Sequence, residues 1–233
     1  MNVSKKIFMG LIYIYISIAA LSAENIIGVG LSFPIQNFSN YKSYTEELTG
    51  HGYAYGKAGS GSLSDTDLAG YQVAFNFKHI FDNKFALGGS FGIGTATLKF
   101  EGDDDYEDLA DFSLDLSLGY AVVNSERVTL ILSGIGGWRY AFGGPQEAIV
   151  LYNGNLALTD AYTTVSTFNI GAEVFANFKL GEKAGLFASC KVTRGVGDLK
   201  GEYEDWNGNT LTATQHDAAG VCITPSFGFS LKI

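Results

Sequence analysis

The sequence predicts an all-β chain, an eight-stranded antiparallel up-and-down transmembrane β-barrel. Three observations predict it. First, the closing stretch Ala218 to Ile233 alternates strictly: Ala219, Val221, Ile223, Pro225, Phe227, Phe229, Leu231 and Ile233 on one side, Ala218, Gly220, Cys222, Thr224, Ser226, Gly228, Ser230 and Lys232 on the other. Such alternation means one extended strand with two unlike faces, and it is more than twice the ~5–6 residues usual in soluble strands. Second, the pattern recurs seven times upstream, with connections alternately short and long, the asymmetry of barrels that cross an outer membrane. Third, the face opposite the apolar one is mostly Gly, Ala and Ser with a few charges. A barrel of ~8 strands has little interior space, so small residues belong inside. The competing soluble barrel or sandwich would turn its apolar face to a core and expose the other, which would then carry more Lys, Glu and Thr.

Residues 1–23 read as a secretory signal. Lys5 and Lys6 precede an apolar run from Ile7 to Leu21 that ends in Ala20-Leu21-Ser22-Ala23. The run is shorter than the ~20 residues of a spanning helix. The expected mature domain, 24–233, is a size one barrel can fill. Loss of Lys5 and Lys6 takes the formal charge from −9 to −11, which argues against a nucleic-acid partner.

The first strand spans about Ile26 to Ile35, with Ile27, Val29, Leu31, Phe33 and Ile35 outward. A polar loop follows, about Gln36 to Thr66. In the second strand Tyr71, Val73, Phe75 and Phe77 face out, and Gln72, Ala74, Asn76 and Lys78 face in. Asp82-Asn83-Lys84 turns into the third, with Phe85, Leu87, Phe91 and Ile93 outward. An acidic loop from Glu101 to Asp108 leads to the fourth, where Phe112, Leu114, Leu116, Leu118, Tyr120 and Val122 alternate with Asp111, Ser113, Asp115, Ser117, Gly119 and Ala121. Asn124-Ser125-Glu126 turns into the fifth, with Leu130, Leu132, Trp138, Tyr140 and Phe142 outward and Ser133, Gly137 and Arg139 inward; Ile131 and Ile135 blur this strand. Asn153-Gly154 is a two-residue turn signal in what reads as a separate small hairpin, too short to add two spanning strands. The sixth strand sends Phe168, Ile170, Val174 and Phe178 out, and Asn169, Gly171, Glu173, Phe175 and Asn177 in. The seventh, after Gly181-Glu182-Lys183, has Leu186, Ala188, Cys190 and Val192 outward and Ser189, Lys191 and Thr193 inward. A two-residue turn at Asn207-Gly208 would set Lys191 opposite Thr224 and Thr193 opposite Cys222, all inward, a consistent register. Cys190 and Cys222 then lie on opposite faces, unsuited to a disulfide. The same test on Asn153-Gly154 pairs inward with outward positions, so either Gly143-Gly144-Pro145 holds a bulge or one strand's faces are misassigned.

Taken whole, the pattern resembles the small eight-stranded outer-membrane proteins of diderm bacteria: the OmpA transmembrane domain, OmpX and opacity-type proteins, with OmpW-like proteins a close alternative. The end Ser226-Phe227-Gly228-Phe229-Ser230-Leu231-Lys232-Ile233 looks like the signal those proteins present to the barrel-assembly machinery, with Ile233 where Phe is usual. The resemblance implies export, outer-membrane lipid around the barrel, and either a surface-interaction role or a narrow passive channel.

Five charges point into the barrel: Asp111, Asp115, Arg139, Glu173 and Lys191. Across the short turns Asp111 comes level with Arg139, and Glu173 with Lys191. Buried charges are costly unless paired, so the set reads first as a network closing the interior. The OmpA resemblance implies a second reading, a gate or narrow polar path. His51, His79 and His216 have no Ser in a recognisable spacing, and Asp217 beside His216 points to the other face of its strand; all three read as solvated, so no catalytic residue is expected. Glu101, Asp103, Asp104, Asp105, Glu107 and Asp108 lack the spacing of a defined calcium loop and read as a solvated acidic loop. No metal or cofactor is expected. Tyr41, Tyr44, Tyr53 and Tyr55 in the first loop, with Tyr203 and Trp206 in the last arm, offer aromatic contacts to an extracellular ligand or surface.

Overall fold

A computed structural model describes residues 24–38, 53–55, 66–99, 106–152, 155–204 and 210–233. The expected signal segment, Tyr41, Tyr44, His51, the core of the acidic loop, the Asn153-Gly154 and Asn207-Gly208 turns and Trp206 lie outside the described residues. The elements are β1 (Glu24–Ser32), β2 (Ile35–Phe38), β3 (Tyr53–Tyr55), β4 (Thr66–Ile80), β5 (Phe85–Lys99), β6 (Tyr106–Asn124), β7 (Val128–Tyr152), β8 (Asn155–Lys179), β9 (Ala184–Glu204) and β10 (Thr210–Lys232). Each long strand pairs antiparallel with its sequence neighbour, and β1 pairs with both β4 and β10, so the sheet closes on itself. β1 and β2 form one stave, broken at Phe33-Pro34 but in unchanged register on both sides: Ser32 pairs with Gln72 and Ser226, Ile35 with Ala69 and Ile223. With β3 lying off this path against β7, the barrel has eight staves. Closure leaves no edge to aggregate.

The register turns on three bulges. Tyr152 pairs with Asn155, as a two-residue turn requires, and the pairing slips between Gly143 and Gln146. That bulge at Gly144-Pro145 brings inward residues of β7 opposite inward residues of β8. It also makes the presumed separate hairpin a continuation of the same two staves. On β9–β10, Lys191 faces Thr224 and Thr193 faces Cys222 as expected, but for another reason. The outer pairing, Glu204 with Thr210, is one residue out of step with a two-residue turn, and a bulge between Gln215 and Ala218 restores the register. A third bulge, between Ala121 and Val123, shifts β6 against β7. Arg139 stands opposite Ser113 rather than Asp111, and Asp111 opposite Ala141, because the chain turns over residues 125–128 between paired Asn124 and Thr129, a longer turn than expected, and the bulge recovers only one position.

The outward face is a continuous apolar belt. Phe227, Phe229, Ile170, Leu116 and Leu118 are each more than half exposed, whereas soluble monomers rarely expose large contiguous apolar patches. Aromatics gather toward the long-loop end, where Trp138 and Tyr140 stack at 5.3 Å and Phe112 and Phe142 at 6.0 Å. Phe85, Tyr120, Phe178 and Phe229 ring the short-turn end, all exposed. Among the described residues no helix is long and apolar enough to cross a membrane.

The inward face is layered. At the short-turn end Ile26, Ile80, Ala86, Ala121, Ile131, Phe175 and Phe187 form one buried apolar cluster. Phe175 and Phe187 stack at 5.7 Å. The Phe187 ring fits because Gly28 lacks a side chain: a Cβ there would sit 2.9 Å from the ring. Ile131 and Ile135, which blurred the fifth strand, both point inward and are buried. Toward the long-loop end Leu68, Ala96, Leu109, Ala141 and Val165 are buried as well. Polar side chains fill the middle.

Candidate functional site

The middle layer holds three cations and three anions among the described residues. The structure places all five sequence-predicted charges there and adds Lys78, so the formal charges balance. Arg139, 2% exposed, grips Asp111, 0% exposed, with both ends of its fork: Nε donates to Oδ1 at 3.0 Å and Nη2 to Oδ2 at 2.8 Å. The reach is diagonal, because Asp111 lies two residues along β6 from Ser113, the residue directly opposite Arg139. A bidentate charge-assisted pair is the geometry in which a buried guanidinium is best compensated. Nη1 extends across the lumen to Gln36 Oε1 at 3.3 Å and lies 3.9 Å from Cys222 Sγ.

The expected Glu173–Lys191 pair does not form. The two residues are register partners on β8 and β9, yet each bonds elsewhere. Glu173 takes its ion pair from Lys78, which also donates to Ser117 Oγ at 2.8 Å and lies 5.4 Å from the centre of the Phe175 ring. Lys191 donates to Asp115 Oδ2 and Ser90 Oγ, both at 2.5 Å, and Ser90 donates to the same Asp115 oxygen at 3.1 Å. Neighbouring strands hold their side chains side by side along the wall. In a narrow barrel the ends of long inward side chains converge near the axis, within reach of the opposite wall. β4 and β8 are separated by three staves in either direction, so Lys78–Glu173 is a diametral bridge, and Arg139–Gln36 between β7 and β2 is another.

Three participants escaped the sequence reading. Lys78 faces inward by alternation, and the structure adds it to the charges. The sequence puts Gln36 in the first loop, yet it is buried in β2, in phase with Gly28, Gly30 and Ser32; the alternation past Pro34 is the signal for it. Gln72 was placed inward without a role; its Oε1 accepts from Ser113 Oγ at 2.9 Å and from Ser32 Oγ at 3.3 Å. His79 is not solvated. It is buried near the short-turn end, with Nδ1 2.7 Å from Asn25 Oδ1 and the Phe81 ring edge-on at 4.4 Å. Cys190 is exposed and Cys222 buried, both as free thiols. Among the described residues no group of His, Cys, Asp and Glu is placed to hold a metal ion.

One cavity in this layer, of ≈ 30 Å³, is bounded by Ser32, Pro34, Gln72, Asp115, Arg139 and Thr224, among others. That is room for about one water. Chemically the arrangement is a charge-neutral crosslink between opposite walls.

No protein-family model matches the chain, and no curated protein matches it significantly. Solved structures do. The outer membrane protein OprG from Pseudomonas aeruginosa aligns over 91% of this chain and 97% of its own, at 14% identity and a TM-score of 0.51. A major outer membrane protein from Thermus thermophilus aligns over 88% and 99%, at 12% identity and a TM-score of 0.49. Ail, the attachment invasion locus protein of Yersinia pestis, aligns over 91% and 100%, at 13% identity and a TM-score of 0.44. The chain has the fold of the small closed barrels of outer membranes.

Proposed function

We propose that this chain is an integral outer-membrane barrel that does not conduct and acts through the strands it raises above the membrane, as a surface-interaction protein. The uneven length of the staves carries this reading. A spanning strand needs ~9–11 residues. β4 and β5 have 15 each and β6 has 19, whereas β7 and β8 have 25 each, β9 21 and β10 23. The surplus lies on one side and is paired, from Gln146–Ala161 beyond the bulge out to Tyr152–Asn155 on β7 and β8, and from Gln215–Leu199 out to Thr210–Glu204 on β10 and β9. β3 adds a further short strand to the outer end of β7. The result is a standing sheet, a surface that paired backbone keeps in shape. Beneath it the apolar cluster, the buried ion pairs and the Lys78–Glu173 bridge across the lumen fill the interior, which favours this reading over a pore through the barrel.

A second reading, a narrow passage for small apolar solutes, is favoured by one feature. Phe33 and Pro34 interrupt the first stave beside Pro225 and Thr224 of β10, so two prolines without N–H groups sit on adjacent strands. The seam is held by Phe33 N donating to Pro225 O at 2.9 Å and Gly70 N donating to Pro34 O at 3.0 Å. The small interior cavity abuts it.

The test uses the refolded chain in planar bilayers and on vesicles. The expected results are silence in conductance and binding of protein-bearing vesicles to a panel of polysaccharide and matrix surfaces. Removal of residues 146–161, with the barrel shown to be folded, is expected to abolish that binding. Discrete openings, or binding indifferent to the deletion, would overturn the surface reading. Entry of an apolar dye into sealed vesicles, blocked by bulky substitutions at the Pro34–Pro225 seam, would establish the second.

A further inference from the structure

One cation stands on the wrong side of the wall. Arg194 of β9 alternates with the inward residues Thr193 and Gly195 and points outward, exposed. Its neighbours there are lipid-belt residues: Val192 and Val196 along the strand, Ile170 and Val221 across it, each between 47% and 62% exposed. Among the described residues it is the one cation within this belt, and no described side chain bonds it. An unpaired cation among apolar groups is unfavourable by a depth-dependent amount that falls toward zero near the headgroups. Depth therefore decides whether Arg194 is a liability or a contact.

The structure gives the depth. Arg194 is eight residues beyond Leu186, which begins the belt on this strand. At ~3.3 Å per residue and a tilt of ~40°, it rises about 20 Å through an apolar band about 25 Å tall. It thus sits just inside the long-loop boundary. The paired row through Arg194 agrees: it runs Gly136, Ile170, Arg194, Val221 and then exposed Asn37, passing from apolar to polar within two strands. The next outward residue but one, Asp198, is already acidic and exposed. An arginine there keeps its stem on apolar surface and lifts its guanidinium to headgroup level.

Resting on the outer-membrane reading above, we propose that Arg194 and the apolar side chains around it form a docking site for a phosphorylated lipid of the outer leaflet. The guanidinium would receive the headgroup phosphate, and Ile170, Val192 and Val221 would lie along an acyl chain. A planar fork matches phosphate oxygens bidentately. The site needs one molecule with both features, an anion at the interface and hydrocarbon directly beneath it, which a free phosphate lacks.

The test is native mass spectrometry of the full refolded chain released from mixed micelles containing bis-phosphorylated lipid A or its dephosphorylated form. The wild type is expected to retain the phosphorylated lipid about tenfold better, the size of one charge-assisted contact. Arg194→Gln is expected to lose the preference, and Arg194→Lys to keep part of it. Excess inorganic phosphate is expected not to displace the lipid. An Arg194→Gln protein that keeps the preference, a wild type that shows none, or complete displacement by inorganic phosphate would each overturn the site. Heat-modifiable gel mobility establishes beforehand that each variant is a folded barrel. A wild type that never inserts into bilayers would refute the membrane reading itself, a different failure from an inserted protein indifferent to phosphate.

Discussion

The diametral Lys78–Glu173 bridge makes a prediction that separates the folded barrel from its strand-by-strand reading. Substituting Lys78→Met keeps much of the side-chain volume and removes the ammonium. Glu173, 2% exposed, is then left with no cation bonded to it, and its Oε1 already lacks a partner. Removing one member of a buried ion pair costs about 3–5 kcal/mol. The double variant Lys78→Met with Glu173→Leu removes both charges, and replacing a whole buried pair with apolar groups is often neutral or stabilising. A double-mutant cycle on Lys78 and Glu173 is therefore expected to return a coupling of about 3 kcal/mol or more. The same cycle on Lys191 and Glu173, which are register partners without a bond, is expected to return less than about 1 kcal/mol. Urea unfolding in lipid vesicles reads both, with loss of heat-modifiable gel mobility as the probe. A Lys191–Glu173 coupling equal to or larger than the Lys78–Glu173 coupling would refute the cross-lumen assignment.

Two further outcomes follow from the layered interior. Phe187→Ala deletes the stack on Phe175 and empties the space above Gly28, and it is expected to destabilise the barrel by about 3–5 kcal/mol in the same unfolding assay; a loss under about 1 kcal/mol would mean that the cluster is not packed as described. The cysteines should differ in access: a membrane-soluble maleimide is expected to label Cys190 in the folded protein, and Cys222 only after unfolding. Equal labelling of both in the folded state would contradict the face assignment of β9 and β10.

Much of the barrel was legible because a strand's two faces are written in its period. The inward and outward residues of β4, β5, β6 and β10 could be named from alternation alone, as could the inward position of each charge. Register was legible only in part. The slip at Gly144-Pro145 announced itself, since a strong turn signal conflicted with the face pattern. The slip beside His216 and Asp217 did not. A one-residue error at the tip and a one-residue bulge cancelled, and the barrel register came out right with the bulge unseen. Ile131 and Ile135 looked like noise in an outward-apolar strand until the apolar cluster at the short-turn end gave them a place.

The sequence by itself determined the fold class, the sidedness of the spanning strands other than the fifth, and the presence of buried charge, because backbone pleating fixes which face each residue takes and an exposed apolar belt needs lipid. Which charges meet was decided only by the tertiary structure. Closing eight staves into a narrow barrel brings together the charged ends of residues nearly a hundred positions apart, Lys78 and Glu173, while the register partners Glu173 and Lys191 bond elsewhere. That distance depends on closure and on the bulges, and no local pattern carries it.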